Sequence, residues 1–88
     1  MAADSGQDIS GQTRQVLAAI DALLARAGTD KSKILMCQIF IKDLAEFQAL
    51  NAVWEAWVAP GNAPPRATVV ADLAKPEWKV EMVVTAAI

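Results

Sequence analysis

Arg66 and Glu81 are the two side chains of this 88-residue chain whose type and setting best suit anion binding and acid–base work. Arg66 directly follows Ala63-Pro64-Pro65 and opens the strand-like run Ala67-Thr68-Val69-Val70, so the proline pair fixes where a strand begins and aims one guanidinium. Its planar fork grips a carboxylate through two parallel hydrogen bonds. Glu81 lies among Val80, Met82, Val83 and Val84, an apolar setting in which a carboxylate is a candidate base. Together the two suggest a site for a small carboxylic acid. An arginine and a glutamate on neighbouring strands also make an ordinary structural or surface ion pair, and on these two residues alone that plainer reading is favoured.

Composition removes several classes of chemistry. The chain has no histidine and one cysteine, Cys37, which excludes an internal disulfide, a Cys/His zinc site, a histidine triad and an imidazole base. No metal site is expected. Eight basic and ten acidic side chains give a net charge of −2 with no basic cluster, which argues against a nucleic-acid partner. Apolar residues make up 55%, yet no run approaches the roughly 20 residues of a membrane span, so a soluble chain with no membrane partner is expected. Met1 to Asp8 shows neither a secretory nor a transit pattern, which makes the cytoplasm the default compartment.

The elements that must position Arg66 and Glu81 follow from periodicity. Residues 1 to 8 read as a flexible lead-in. Val16, Leu17, Ile20, Leu23, Leu24 and Ala27 mark one face of a helix over residues 10–27, ended by Gly28 as a left-handed cap. Residues 33–42 read as a central strand covered on both faces, with Cys37 packed inside it. Asp43 to Glu46 is capping-box-like and opens a second helix over 43–58, whose stripe includes Phe47, Leu50, Trp54, Trp57 and Val58. On that stripe Trp54 and Trp57 are expected as core rather than as a ligand cage. Asn51 adjoins the stripe, where an amide needs a hydrogen bond, either local or toward a site. After a rigid loop over residues 60–65, strands are expected over 66–72 and 79–88. The order helix, strand, helix, strand, strand contains a right-handed crossover that makes strands 33–42 and 66–72 parallel neighbours. Both helices then lie on one face of the sheet in a single α+β domain over residues 1–88, and the apolar opposite face calls for cover by another subunit.

Gln12-Thr13-Arg14-Gln15 with Asp21 and Leu24, Ala27-Gly28, Lys33-Ile34-Leu35, Ile41-Lys42-Asp43 with Phe47 and Asn51, Ala63 to Thr68, and Val80-Glu81-Met82 together resemble the Rid/YjgF family of enamine and imine deaminases. The resemblance runs from about Gln12 to Ile88. It implies a two-layer chorismate-mutase-like α+β fold assembled as a homotrimer, with sites in clefts between subunits. It also implies hydrolysis of reactive 2-imino acids to 2-keto acids and ammonia, with no cofactor because an imine is already activated toward addition. By position, Arg66 would hold the substrate carboxylate, Glu81 would place the attacking water, and Asn51 would stand near the cleft. Thr68 takes the place where many active members have a cysteine. The family's N-terminal β-hairpin, which normally contributes an aromatic and a hydroxyl residue to the cleft, is expected to be missing, leaving residues 79–88 as an apolar edge. A hairpin between the last two strands is the simpler local reading, but the crossover and the family order both set strand 33–42 between them.

The leading function is therefore a 2-imino-acid hydrolase, weakened or inactive as this shorter form. The alternative is a non-catalytic trimeric module that binds small carboxylates or keto acids. Both use Arg66, and they differ on Glu81, which hydrolysis requires and binding tolerates losing. A chorismate-mutase activity is discounted, because fold does not carry function and no second cation is placed to clamp a dicarboxylate.

Overall fold

A computed structural model describes residues 8–58, 61 and 63–87. It contains α1 (Ile9–Arg26), β1 (Ile34–Ile41), α2 (Phe47–Trp57), β2 (Arg66–Val70) and β3 (Val80–Ala86), with short 3₁₀ turns at Lys31–Lys33 and Leu44–Glu46. Most of the expected lead-in, and residues 60 and 62 of the expected loop, lie outside the described residues. Asp8 does not belong to a lead-in: its side chain accepts from the Gly11 amide at 2.8 Å and caps α1.

Gly28 ends α1 as expected. It takes a left-handed φ of 81°, while the Gly28 amide donates to Ala25 at 3.1 Å and the Thr29 amide to Leu24 at 2.9 Å. These two bonds satisfy carbonyls that the last helical turn leaves open. The second helix starts later than its sequence pattern suggests. Asp43 accepts from the Ala45 amide at 3.0 Å, within the tighter 3₁₀ turn, and the α-helix proper begins at Phe47.

The sheet has three strands in the order β2-β1-β3, with β1 parallel to β2 and antiparallel to β3. The last two strands therefore do not form a hairpin; β3 pairs with the other edge of β1, which lies between them. Both helices pack on one face, α1 against α2 and β3. Val16, Leu17 and Ile20 of α1, Cys37, Ile39 and Ile41 of β1, Leu50 and Trp54 of α2, and Val80 of β3 form the core. Each large apolar side chain buried this way contributes about 1.5–3 kcal/mol. Gln12, fully buried, adds a polar staple, donating to the Glu77 carbonyl at 3.1 Å and accepting from the Lys79 amide at 2.8 Å just ahead of β3.

Within one chain the central strand is covered on one face, and the cover expected on the other falls to another copy. Two helices that arrive on the same side cover one face only, and on the other Met36, Val69 and Val83 are 41%, 48% and 47% exposed. No helix among the described residues is long and apolar enough to cross a membrane.

Candidate functional site

The ladder decides which way each candidate points. Arg66 opens β2 opposite Cys37 of β1, and the Cys37 amide donates to the Pro65 carbonyl at 3.0 Å, so the proline pair is built into the first rung. Cross-strand partners project to the same side of a sheet. Cys37 is buried beneath the helices, so Arg66 projects there as well. Thr68, two residues on and opposite Ile39, shares that face.

α2 meets the guanidinium with one stripe. Phe47, Asn51 and Trp54 stand at i, i+4 and i+7, the spacing that puts side chains on one side of a helix. The Arg66 guanidinium carbon lies 5.5 Å from the centre of the Phe47 ring and 5.3 Å from that of Trp54. Both distances suit attraction between a cation and an aromatic face. Arg66 Nη2 donates to Asn51 Oδ1. Nη1 is buried without a hydrogen-bond partner, and among the described residues no carboxylate stands within ion-pair distance of Arg66. The charge is thus held in place by one amide and two rings while part of its donor fork stays unused. A buried unpaired donor costs about 1–3 kcal/mol, a cost that an incoming carboxylate would remove.

Glu81 stands apart from this group. It pairs with Phe40, three residues along β1 from Cys37, and that odd offset puts it on the opposite, open face of the sheet. There it is half-buried and lines a pocket of about 320 Å³ with Phe40, Ala71, Asp72 and Leu73. The chain by itself therefore brings Arg66 and Asn51 into contact, sets Thr68 on the same face and leaves Glu81 across the sheet. The two rings that flank the guanidinium were expected only as parts of the apolar stripe; the signal for their second role is their spacing around Asn51.

Cys37 is not set up as a nucleophile. Burial pushes its thiol from 9.0 up to about 11, against the opposing pull of the Arg66 charge. Trp57 leans on Trp54 with ring centres 5.6 Å apart and donates through Nε1 to Asp21 Oδ2 at 2.8 Å, a structural contact between the helices. Among the described residues no group of three His, Cys, Asp or Glu side chains is arranged to hold a metal ion.

The family model described as Endoribonuclease L-PSP matches residues 2–88. A RutC family protein of Haemophilus ducreyi is 52% identical over 85 residues, spanning 97% of this chain and 73% of that protein. The crystal structure of NMB1025, a Neisseria meningitidis member of the YjgF protein family, superposes with a TM-score of 0.93 at 45% identity, covering 97% of this chain and 71% of the other. The YjgF gene product of Escherichia coli superposes with a TM-score of 0.81 at 32% identity, covering 90% and 64%.

Proposed function

We propose, from the premise that this chain belongs to the YjgF/RutC family described as Endoribonuclease L-PSP, that it is a hydrolase of small 2-imino acids whose site closes between copies of the chain. The observation that carries this reading is the Arg66 guanidinium, fixed by Asn51, Phe47 and Trp54 yet with a buried, unpartnered Nη1. A substrate carboxylate fits that donor, with Thr68 beside it on the same face. Glu81 of one chain does not reach a ligand held there, because the sheet lies between them. On this reading a neighbouring copy supplies it, in the homotrimer that the resemblance implies.

The chemistry then needs no cofactor. Glu81 of the neighbouring copy accepts a proton from water as the oxygen bonds to the imine carbon, and the imine nitrogen takes up a proton. The carbinolamine that results loses its nitrogen as ammonia, leaving the 2-keto acid. Held in this geometry, water and imine react without the entropic cost of meeting in solution.

The test follows decay of 2-iminobutanoate generated in place by a dehydratase. Arg66→Lys is expected to lose at least about 2 kcal/mol of transition-state stabilisation, because an ammonium does not reproduce the planar fork. Glu81→Gln is expected to keep affinity for a 2-keto acid while losing turnover. Mixed oligomers of Arg66→Ala and Glu81→Gln chains are expected to regain activity, since some sites then hold Arg66 from one chain and Glu81 from another. Unchanged decay with Arg66→Ala removes the enzymatic reading.

The separation of Arg66 from Glu81 within one chain also favours a second reading, a module that binds small carboxylates without turning them over. That reading expects Glu81→Gln to leave ligand binding intact and imine decay at the uncatalysed rate for both wild type and variant.

A further inference from the structure

The outward side of the helical layer carries a feature for which the carboxylate clamp has no use. Between α1 and α2 runs a groove of about 510 Å³, lined by Arg14, Ala18 and Asp21 on one side and Ala49, Ala52 and Ala56 on the other. The alanines leave the helix backbones close to the surface, so a third helix can approach as near as about 8 Å between axes.

The charges in this groove follow a rule. Ser10, Arg14, Ala18, Asp21 and Ala25 fall on one stripe of α1, at helical intervals of three and four residues. Turned end for end about a point between Leu17 and Ala18, the stripe exchanges its charges: Arg14 falls on Asp21 and Ser10 on Ala25, while Ala18 falls on Leu17, which is buried in the core. Arg14 and Asp21 are two helical turns apart, about 10 Å along the axis, too far to pair within one chain. Among the described residues the Arg14 side chain has no hydrogen bond or ion pair. Asp21 is held against the groove wall by the Trp57 indole, which donates to Oδ2 at 2.8 Å, and its other oxygen remains open to a guanidinium.

We propose that this face is a self-docking surface. A second copy of the chain lays its α1 antiparallel along the groove about a two-fold axis passing by Leu17 and Ala18, so that Arg14 of each copy meets Asp21 of the other. A two-fold contact requires a patch complementary to itself, and exchange of opposite charges about the exposed Ala18 meets that requirement. An unrelated helix would need a matching stripe of its own, whereas this chain already carries one. The surface lies on the opposite side of the molecule from the open sheet face, so the contact doubles whatever assembly that face forms and does not depend on the imine-hydrolase reading.

Sedimentation equilibrium of wild type, Arg14→Asp, Asp21→Arg and an equimolar mixture of the two variants tests this. Each variant alone sets like charges opposite one another and is expected to show half the wild-type mass. In the mixture, a stripe with acid at both positions faces a stripe with base at both, so the doubled mass is expected to return, and to fall again as salt screens the pairs. Asp21→Arg also removes the acceptor of Trp57, and recovery in the mixture separates a lost docking pair from local unfolding. Circular dichroism confirms that each variant is folded. Equal masses for wild type and both variants overturn the proposal, as does a mixture that stays at half mass. Imine decay does not enter the measurement, so failure here and failure of the hydrolase reading are told apart.

Discussion

Across the β1–β2 ladder Cys37 and Arg66 stand side by side, and burial outweighs the neighbouring charge in setting the thiol. The side chain is 0% exposed, and its ionisation is pushed from 9.0 up to about 11. The folded chain thus holds this proton more tightly than the unfolded one. The associated stability is fully present below pH 9 and is lost as pH rises toward 11, at about 1.4 kcal/mol per pH unit and about 3 kcal/mol in all. Denaturant unfolding of wild type and Cys37→Ala across this window is expected to show that slope in wild type only. Alkylation at pH 8 is expected to stay slow until denaturant is added. The packed, inert character of Cys37 was legible in the sequence because no cation adjoins it along the chain, although Arg66, 29 positions later, arrives beside it through the ladder. Asn51 was legible as an amide in need of a partner, while the identity of that partner depended on how α2 crosses β2.

Helices and strands differ in how far their sequences determine them. The apolar stripe of α1 and the glycine that stops it depend on nearest neighbours along the chain, and the span found, Ile9–Arg26, departs from the expected one by a residue at each end. At Gly28 nothing stands within 4 Å of an added Cβ, so a substitution there tests backbone conformation alone. Gly28→Ala forces an L side chain into a left-handed φ of 81° and is expected to cost about 1 kcal/mol, read as a lower midpoint in urea, with Gly28→Asn intermediate. The parallel pairing of β1 with β2 was also readable, because the intervening helix has the length of a crossover. Local sequence alone favoured a hairpin between β2 and β3, and the family order was needed to set β1 between them. The relative facing of Arg66 and Glu81 was not. Alternation assigns faces within one strand, whereas these residues sit on the two outer strands, and only their registers against Cys37 and Phe40 show that the sheet divides them.

At the scale of the whole molecule, two helices cover one face of a three-stranded sheet whose other face displays Met36, Val69 and Val83. The sequence signalled this excess in the apolar strands, with too few helices to cover both faces, though nothing in a linear pattern says which copy or surface supplies the cover. Val83 is 47% exposed in the chain alone, so Val83→Glu costs the isolated fold little. In an assembly built on this face the same carboxylate is buried without a partner, at a cost of several kcal/mol. Val83→Glu is therefore expected to keep its circular dichroism spectrum while its sedimenting mass falls, and to lose imine hydrolysis with it, because Glu81 of a neighbour no longer reaches Arg66. A variant that keeps the wild-type mass and loses activity would place the role of this face within one chain. One that loses mass yet stays fully active would show that a single copy completes the site, against the geometry that puts Arg66 and Glu81 on opposite sides of the sheet.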